Sequence, residues 1–178
     1  RNRTAPRFDQ PLARGPAEVA VSRRRVLHVI QNLNYGGMER LFADIVRLLD
    51  PAEFENHVMV LGYFGRFAEG LDQHAVLHQA PPMGRLSILR PSALTRQIAA
   101  IGPAVMHTHA GVWYKTSLAA RHAGVPRLIH TEHGREAPDP WPARAFGWQS
   151  SRRTDVVVAV SEVLAAQLRA RVITARTR

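Results

Sequence analysis

The stretch that decides the fold begins Val26-Leu27-His28-Val29-Ile30 and continues, one residue on, Asn32-Leu33-Asn34-Tyr35-Gly36-Gly37-Met38-Glu39-Arg40. The first five residues are a short apolar run with the length and composition of a buried strand. Paired glycines follow. Beyond them Met38, Leu41, Phe42, Ile45, Leu48 and Leu49 recur at three- and four-residue spacing, with Glu39, Arg40, Asp44 and Arg47 on the other side. That spacing predicts a helix over 38–49 with one apolar face able to cover a sheet.

The same alternation continues along the chain. Strand-like runs at His57–Gly62, Val76–His78, Val105–His109, Leu128–Thr131 and Val156–Val160 are interleaved with helical segments at Pro91–Ile101, Trp113–Ala123 and Glu162–Arg169. Repeated strand and helix predict an α/β fold, a parallel sheet with helices on both faces. Stop signals agree with the pattern. Gly102-Pro103 ends one apolar stripe, Gly124-Val125-Pro126 ends another, and Ser161 stands where its hydroxyl caps the last helix.

Residues 1–24 combine Pro6, Pro11, Gly15 and Pro16 with charges and show no periodicity, so they read as a disordered basic leader. The domain then spans 25–171 and a short tail spans 172–178. The 24 basic residues, all arginine except Lys115, outnumber 14 acidic ones. The excess sits at the ends: residues 1–25 carry +5 and the last ten +4, which leaves the body nearly neutral. No specific nucleic-acid partner is expected from that distribution, although basic ends suit peripheral contact with an anionic membrane. Cysteine is absent, no apolar run approaches the roughly 18 residues of a spanning helix, and the beginning lacks a signal-peptide apolar stretch. A cytoplasmic protein is the expectation.

In a parallel sheet ligands bind beyond the carboxyl ends of the strands, so the residues after each run are where chemistry is sought. Gly36 and Gly37 allow a bound group to approach the backbone, and the helix behind them offers free N–H groups and a positive dipole end to phosphate. A turn that merely starts a helix is the other reading. The three-glycine dinucleotide spacing is missing. His107 and His109 end a strand and share one of its faces, with His109 nearer the ligand edge and His107 the better fit to a core position. Thr131-Glu132-His133-Gly134-Arg135-Glu136 gathers an imidazole, two carboxylates and a guanidinium beside a glycine. His133 is the candidate for contact with a reacting group and Arg135 for a forked hold on phosphate. A self-paired polar loop is the alternative.

In that order, Tyr35-Gly36-Gly37-Met38-Glu39-Arg40, a strand ending His107-Thr108-His109, Thr131-Glu132-His133-Gly134-Arg135 and Val157-Val158-Ala159-Val160-Ser161, the chain resembles the N-terminal domain of the retaining family 4 glycosyltransferases of GT-B architecture. The resemblance implies a Rossmann-like half-domain and transfer of a sugar from a nucleotide-diphosphate donor to a glycan or lipid-linked acceptor, as in polysaccharide biosynthesis. It implies no cofactor and no essential metal. It assigns His133 as catalytic, beside the reacting sugar, and Gly36, Gly37, Glu39 and Arg40 to the donor phosphates. It assigns His109, His107, Glu132, Gly134 and Arg135 to the acceptor or substrate side. Such enzymes carry a second Rossmann-like domain with paired glutamates seven residues apart, which these residues lack, so the chain alone is expected to be an incomplete, inactive, truncated enzyme. The alternatives are a metal-dependent hydrolase built on His107, His109 and His133, against which the His-Glu-x-x-His spacing is absent, and a non-catalytic Rossmann-like binding module.

Overall fold

The computed structural model describes residues 22–134 and 140–171. Six strands form one sheet: β1 (Arg24–Ile30), β2 (Phe54–Val60), β3 (Val76–Gln79), β4 (Val105–His109), β5 (Arg127–Glu132) and β6 (Val156–Ala159). Five helices accompany them: α1 (Gly37–Leu48), α2 (Ser92–Ile101), α3 (Trp113–His122), α4 (Trp141–Ser151) and α5 (Glu162–Arg171). Every strand pair is parallel and the spatial order is β3-β2-β1-β4-β5-β6. The chain thus winds outward from β1 in one direction, then returns through α2 and winds outward from β4 in the other. This is the doubly wound Rossmann-like arrangement, and its switch point lies between β1 and β4.

Alternation along β1 sends Leu27 and Val29 to one face of the sheet and His28 and Ile30 to the other. On the first face Leu27, Val29, Met59, Met106 and Leu128 pack with Leu94, Ile98 and Ile101 of α2 and Ala119 and Ala120 of α3. On the second, Ile30, Val58 and Val60 pack with Phe42, Ala43 and Val46 of α1 and with Leu71. Trp113, Leu164 and Leu168 form a third cluster against Val157 and Ala159 of β6. Phe42 is fully buried, and an aromatic ring so placed contributes roughly 2–3 kcal/mol of transfer free energy.

The helix after Gly37 forms as the spacing predicts, but its inward stripe is rotated. Phe42, Ala43 and Val46 face the sheet, whereas Leu41 is exposed and Leu48 is 84% exposed. The small Ala43 side chain fits α1 close against the strands, which turns the larger leucines outward. Gly102 and Gly124 adopt the left-handed conformation at φ 62 and 73, ending α2 and α3 as their positions suggest. Ser161 caps α5 through Leu164 N–H, which donates to its Oγ at 3.2 Å. Pro91 stands just outside α2 as its cap residue rather than inside the first turn. Helix α4 is an addition: Pro142, Gly147 and two serines hide it from a periodicity reading, yet Pro142 in its first turn suits a helix start. The leader and tail lie outside the described residues, apart from the Ser22–Arg24 end of the leader.

Candidate functional site

The site is assembled from three neighbouring strand ends. Beyond β1, residues 31–36 lead into α1, whose first residue is Gly37; no side-chain hydrogen bond caps this helix terminus. A Cβ on Gly37 would meet nothing within 4 Å, so the backbone there is open to approach. A Cβ on Gly36 would instead collide with Glu39 Oε2, because the Glu39 carboxylate folds back over the glycine, where it takes up the positive end of the helix dipole. Arg40 lies one residue further on, and its Nε is 3.9 Å from Asp44 on the exposed side of α1.

The glycine loop is braced by the connection after β2. Gly62 N–H donates to Gln31 O at 2.7 Å, Tyr63 N–H to Asn32 Oδ1 at 3.0 Å, and Phe67 N–H to Leu33 O at 3.0 Å. Gly65 sits so close to this loop that an added Cβ would lie 2.7 Å from both Asn34 Cα and Leu33 O. Arg66 donates to the Tyr35 hydroxyl at 2.6 Å.

Strands β4 and β5 supply the histidines. His109 Nδ1 and His133 Nε2 are 3.1 Å apart, and Phe42 of α1 lies edge-on to His109 with ring centres 5.0 Å apart. His107 Nε2 meets Thr131 Oγ1 at 2.8 Å. Burial and neighbouring imidazoles push His107 down to about 4 and drive His109 far below the ordinary histidine range. His133, half-buried, is also lowered by burial, opposed by the carboxylates of Glu132 and Glu39. Phe42 against His109, and His109 against His133, tie α1 to the ends of β4 and β5. Next to His109, Ala110 holds φ 50, a left-handed conformation that costs a non-glycine residue about 1 kcal/mol and re-aims the chain from β4 into α3.

Glu132 and Gly134 face a different space. With Ala110, Gly111, Tyr114 and Phe146 they line a cavity of about 430 Å³ between α3 and α4. A smaller one of about 220 Å³ adjoins through Gly111, Tyr114 and Phe146 and reaches Gln31 at the end of β1. A larger cavity, about 860 Å³, lies at the opposite ends of β5 and β6 among Arg121, Arg153 and Asp155, away from the strand ends where ligands bind in such sheets.

The switch point of the doubly wound sheet thus gathers a glycine turn, His109 and His133. The model of Glycosyltransferase Family 4 matches residues 35–178. The chain belongs to that family. Among solved structures, the crystal structure of Anabaena HepE in complex with UDP and glucose matches with a TM-score of 0.68 at 18% identity, over 88% of this chain and 43% of that one. This likeness establishes the shared fold, and the chain spans less than half the length of that relative. Curated proteins gave no match.

Within this family 4 domain the structure brings Gly36, Gly37, Glu39, His109 and His133 to one rim, with His107 behind them and Glu132 and Gly134 at the cavity beside it. Arg135 lies outside the described residues. The depth order of the two β4 histidines is the reverse of the sequence expectation: His109 is 1% exposed, covered by Phe42, while His107 is only half-buried. His109 therefore reaches any ligand through His133 rather than directly. Sequence reasoning passed over three contributors. His28 on β1 pairs in register with His107 and is 2% exposed. Trp113 stacks on His130 with ring centres 4.0 Å apart and donates to Thr154 Oγ1 at 2.9 Å. Gly65 holds the loop. Only the β1–β4 register reveals the first of these, and that register is not written in either strand alone.

Proposed function

We propose that this chain is one half of a nucleotide-sugar-dependent glycosyltransferase, with the donor phosphates at the Gly36-Gly37 terminus of α1 and the reacting sugar beside His133. The observation that carries the reading is the convergence of α1 with the β5 end: His133 contacts His109 at 3.1 Å, and His109 in turn packs against Phe42 of α1. Free amides and the dipole at Gly37 stabilise an anion without a counter-ion. Glu39 swings aside as phosphate enters, and Arg40 adds positive charge nearby. His133 acts as a neutral hydrogen-bonding group to the sugar, its ring fixed by His109. The cavity of about 430 Å³ lined by Glu132 and Gly134 takes the acceptor, a glycan or lipid-linked sugar, and Arg135 follows directly in sequence.

The transfer retains anomeric configuration and needs no metal, and catalysis requires a second domain to close over the donor. Half a cleft cannot exclude water or orient two substrates, which is where proximity and electrostatic preorganisation gain their force. The location is cytoplasmic, with the basic ends at an anionic membrane face. A hydrolytic metal centre on His107, His109 and His133 is the weaker reading, because such a centre keeps an open coordination position toward water and His109 is almost fully covered.

The test is a titration with UDP-glucose and with pyrophosphate, followed by NMR. Shifts confined to the Gly36, Gly37 and Met38 amides and the His133 ring are expected, with no turnover by the chain alone across a panel of nucleotide sugars. Shifts centred on Arg121 and Arg153 instead, or robust transfer by the chain alone, overturn the reading.

A further inference from the structure

Behind the proposed transfer site, and sharing His109 with it, the same sheet face carries a second cluster. His28, His107 and His109 each present a ring nitrogen, and these three atoms lie within 4.8 Å of one another. Tetrahedral zinc sites with metal to nitrogen bonds near 2.0–2.1 Å place their nitrogens about 3.3 Å apart, a gap that small ring rotations close. His109 Nε2 is shut away from water with no hydrogen-bond partner, and neither nitrogen of His28 reaches full hydrogen-bond geometry, Asn56 being the side chain that approaches it. Buried polar atoms left in this condition cost stability and call for an explanation.

The other nitrogens are engaged as outer partners of ligating histidines usually are. Thr131 Oγ1 holds His107 Nε2 at 2.8 Å, which leaves Nδ1 to turn inward. His133 Nε2 holds His109 Nδ1 at 3.1 Å, which leaves Nε2. Phe42 walls the cluster on the α1 side, with ring centres 5.0 Å from His109 and 6.0 Å from His28. We infer that His28, His107 and His109 form a binding site for a first-row transition-metal dication, zinc or cobalt in type, buried at the β1–β4 switch point. Three imidazoles and no inward carboxylate suit such ions and not magnesium or calcium. His28 and His109 are shut away from bulk water, an environment that favours the neutral, ligating form of imidazole. Half-buried His107 gives the ion its way in. Its role is to fix ring orientation: a metal on His109 Nε2 holds the proton on Nδ1, and that proton points at His133.

The test is independent of sugar transfer. Chelator-stripped protein is titrated with cobalt(II) alone, and visible d–d absorption is followed, with zinc as competitor. One equivalent is expected to bind and to raise the thermal midpoint. His28→Phe, which fills the space against Phe42, and His107→Gln each loosen binding at least 100-fold; Thr131→Val loosens it about 10–100-fold, the range for an outer partner. His57→Gln, at the separate stacked His57–His78 pair, leaves it unchanged. Absence of the cobalt spectrum overturns the inference, as does a spectrum that survives both His28→Phe and His107→Gln or vanishes in His57→Gln. Should His28→Phe fail to fold, His107→Gln and Thr131→Val decide.

Discussion

Gly65→Ala is expected to loosen the glycine turn from a distance, although neither residue type nor backbone angle at position 65 forbids alanine. Gly65 has φ −117 and ψ −162, an extended conformation open to any residue. The obstacle is contact: the new Cβ would stand 2.7 Å from Asn34 Cα and from Leu33 O, and 2.9 Å from Asn34 N. Carbon atoms pack at about 3.5–4.0 Å, so backbone on one side must retreat by about 1 Å. Overpacking of this kind costs about 1–3 kcal/mol. The loss of unfolded-chain freedom on replacing glycine returns about 0.4–1 kcal/mol, which leaves a net destabilisation of about 1–2 kcal/mol. For a chain of this size that lowers the thermal midpoint by about 2–8 °C. The matched control is Gly37→Ala, whose Cβ meets nothing within 4 Å and lies in a helix, so its midpoint stays level or rises. Circular dichroism melts of the two variants side by side are decisive. A Gly65→Ala protein that melts with or above Gly37→Ala would refute the claim that the loop is held by backbone contact.

Acid should weaken the metal-free protein through its buried imidazoles. His28 titrates near 3 and His107 near 4 when folded but near 6.5 when unfolded, so the unfolded chain binds more protons in between. Stability is complete above about pH 6.5 and falls as pH drops toward 4, by about 2 kcal/mol at pH 5 for His28 alone; urea midpoints measured with chelator at pH 7.5 and 5.0 check this, and equal midpoints would contradict it. Ser161→Ala removes the α5 cap and costs about 1 kcal/mol, seen as earlier amide exchange in α5 than elsewhere. Ala110→Gly relieves the left-handed strain at φ 50 and leaves stability level or up to about 1 kcal/mol higher. A drop in its melting temperature would show that no strain is stored there.

The strands were legible because buried parallel strands are short apolar runs bounded by glycine and proline, and Val105–His109 was read to the residue. Helix α4 was not, since its packing comes from Gly147 and Ser150 at a close helix contact rather than from a stripe of large apolar residues. The α1 stripe was read one step out of phase because leucine count outweighed the small Ala43 that lets the helix approach. For the site, Gly36, Gly37, His109 and His133 follow from the rule that ligands gather at strand ends. His28 and the brace through Gly65 depend on which strands become neighbours, and that is settled by crossovers far along the chain.

Along β6, Val157 and Ala159 turn to the core while Val156 and Val158 stand nearly half exposed, followed by an equally exposed Val160. By the β5 register, Val158 shares its sheet face with Thr131. Among the described residues β6 is also the last strand of the sheet, with unpaired backbone groups along one side and neither lysine nor proline in the strand to discourage another chain. At high concentration such an edge recruits its own copies. Solubility of this chain should therefore respond to a single charge placed at Val158 far more than to changes anywhere near His133.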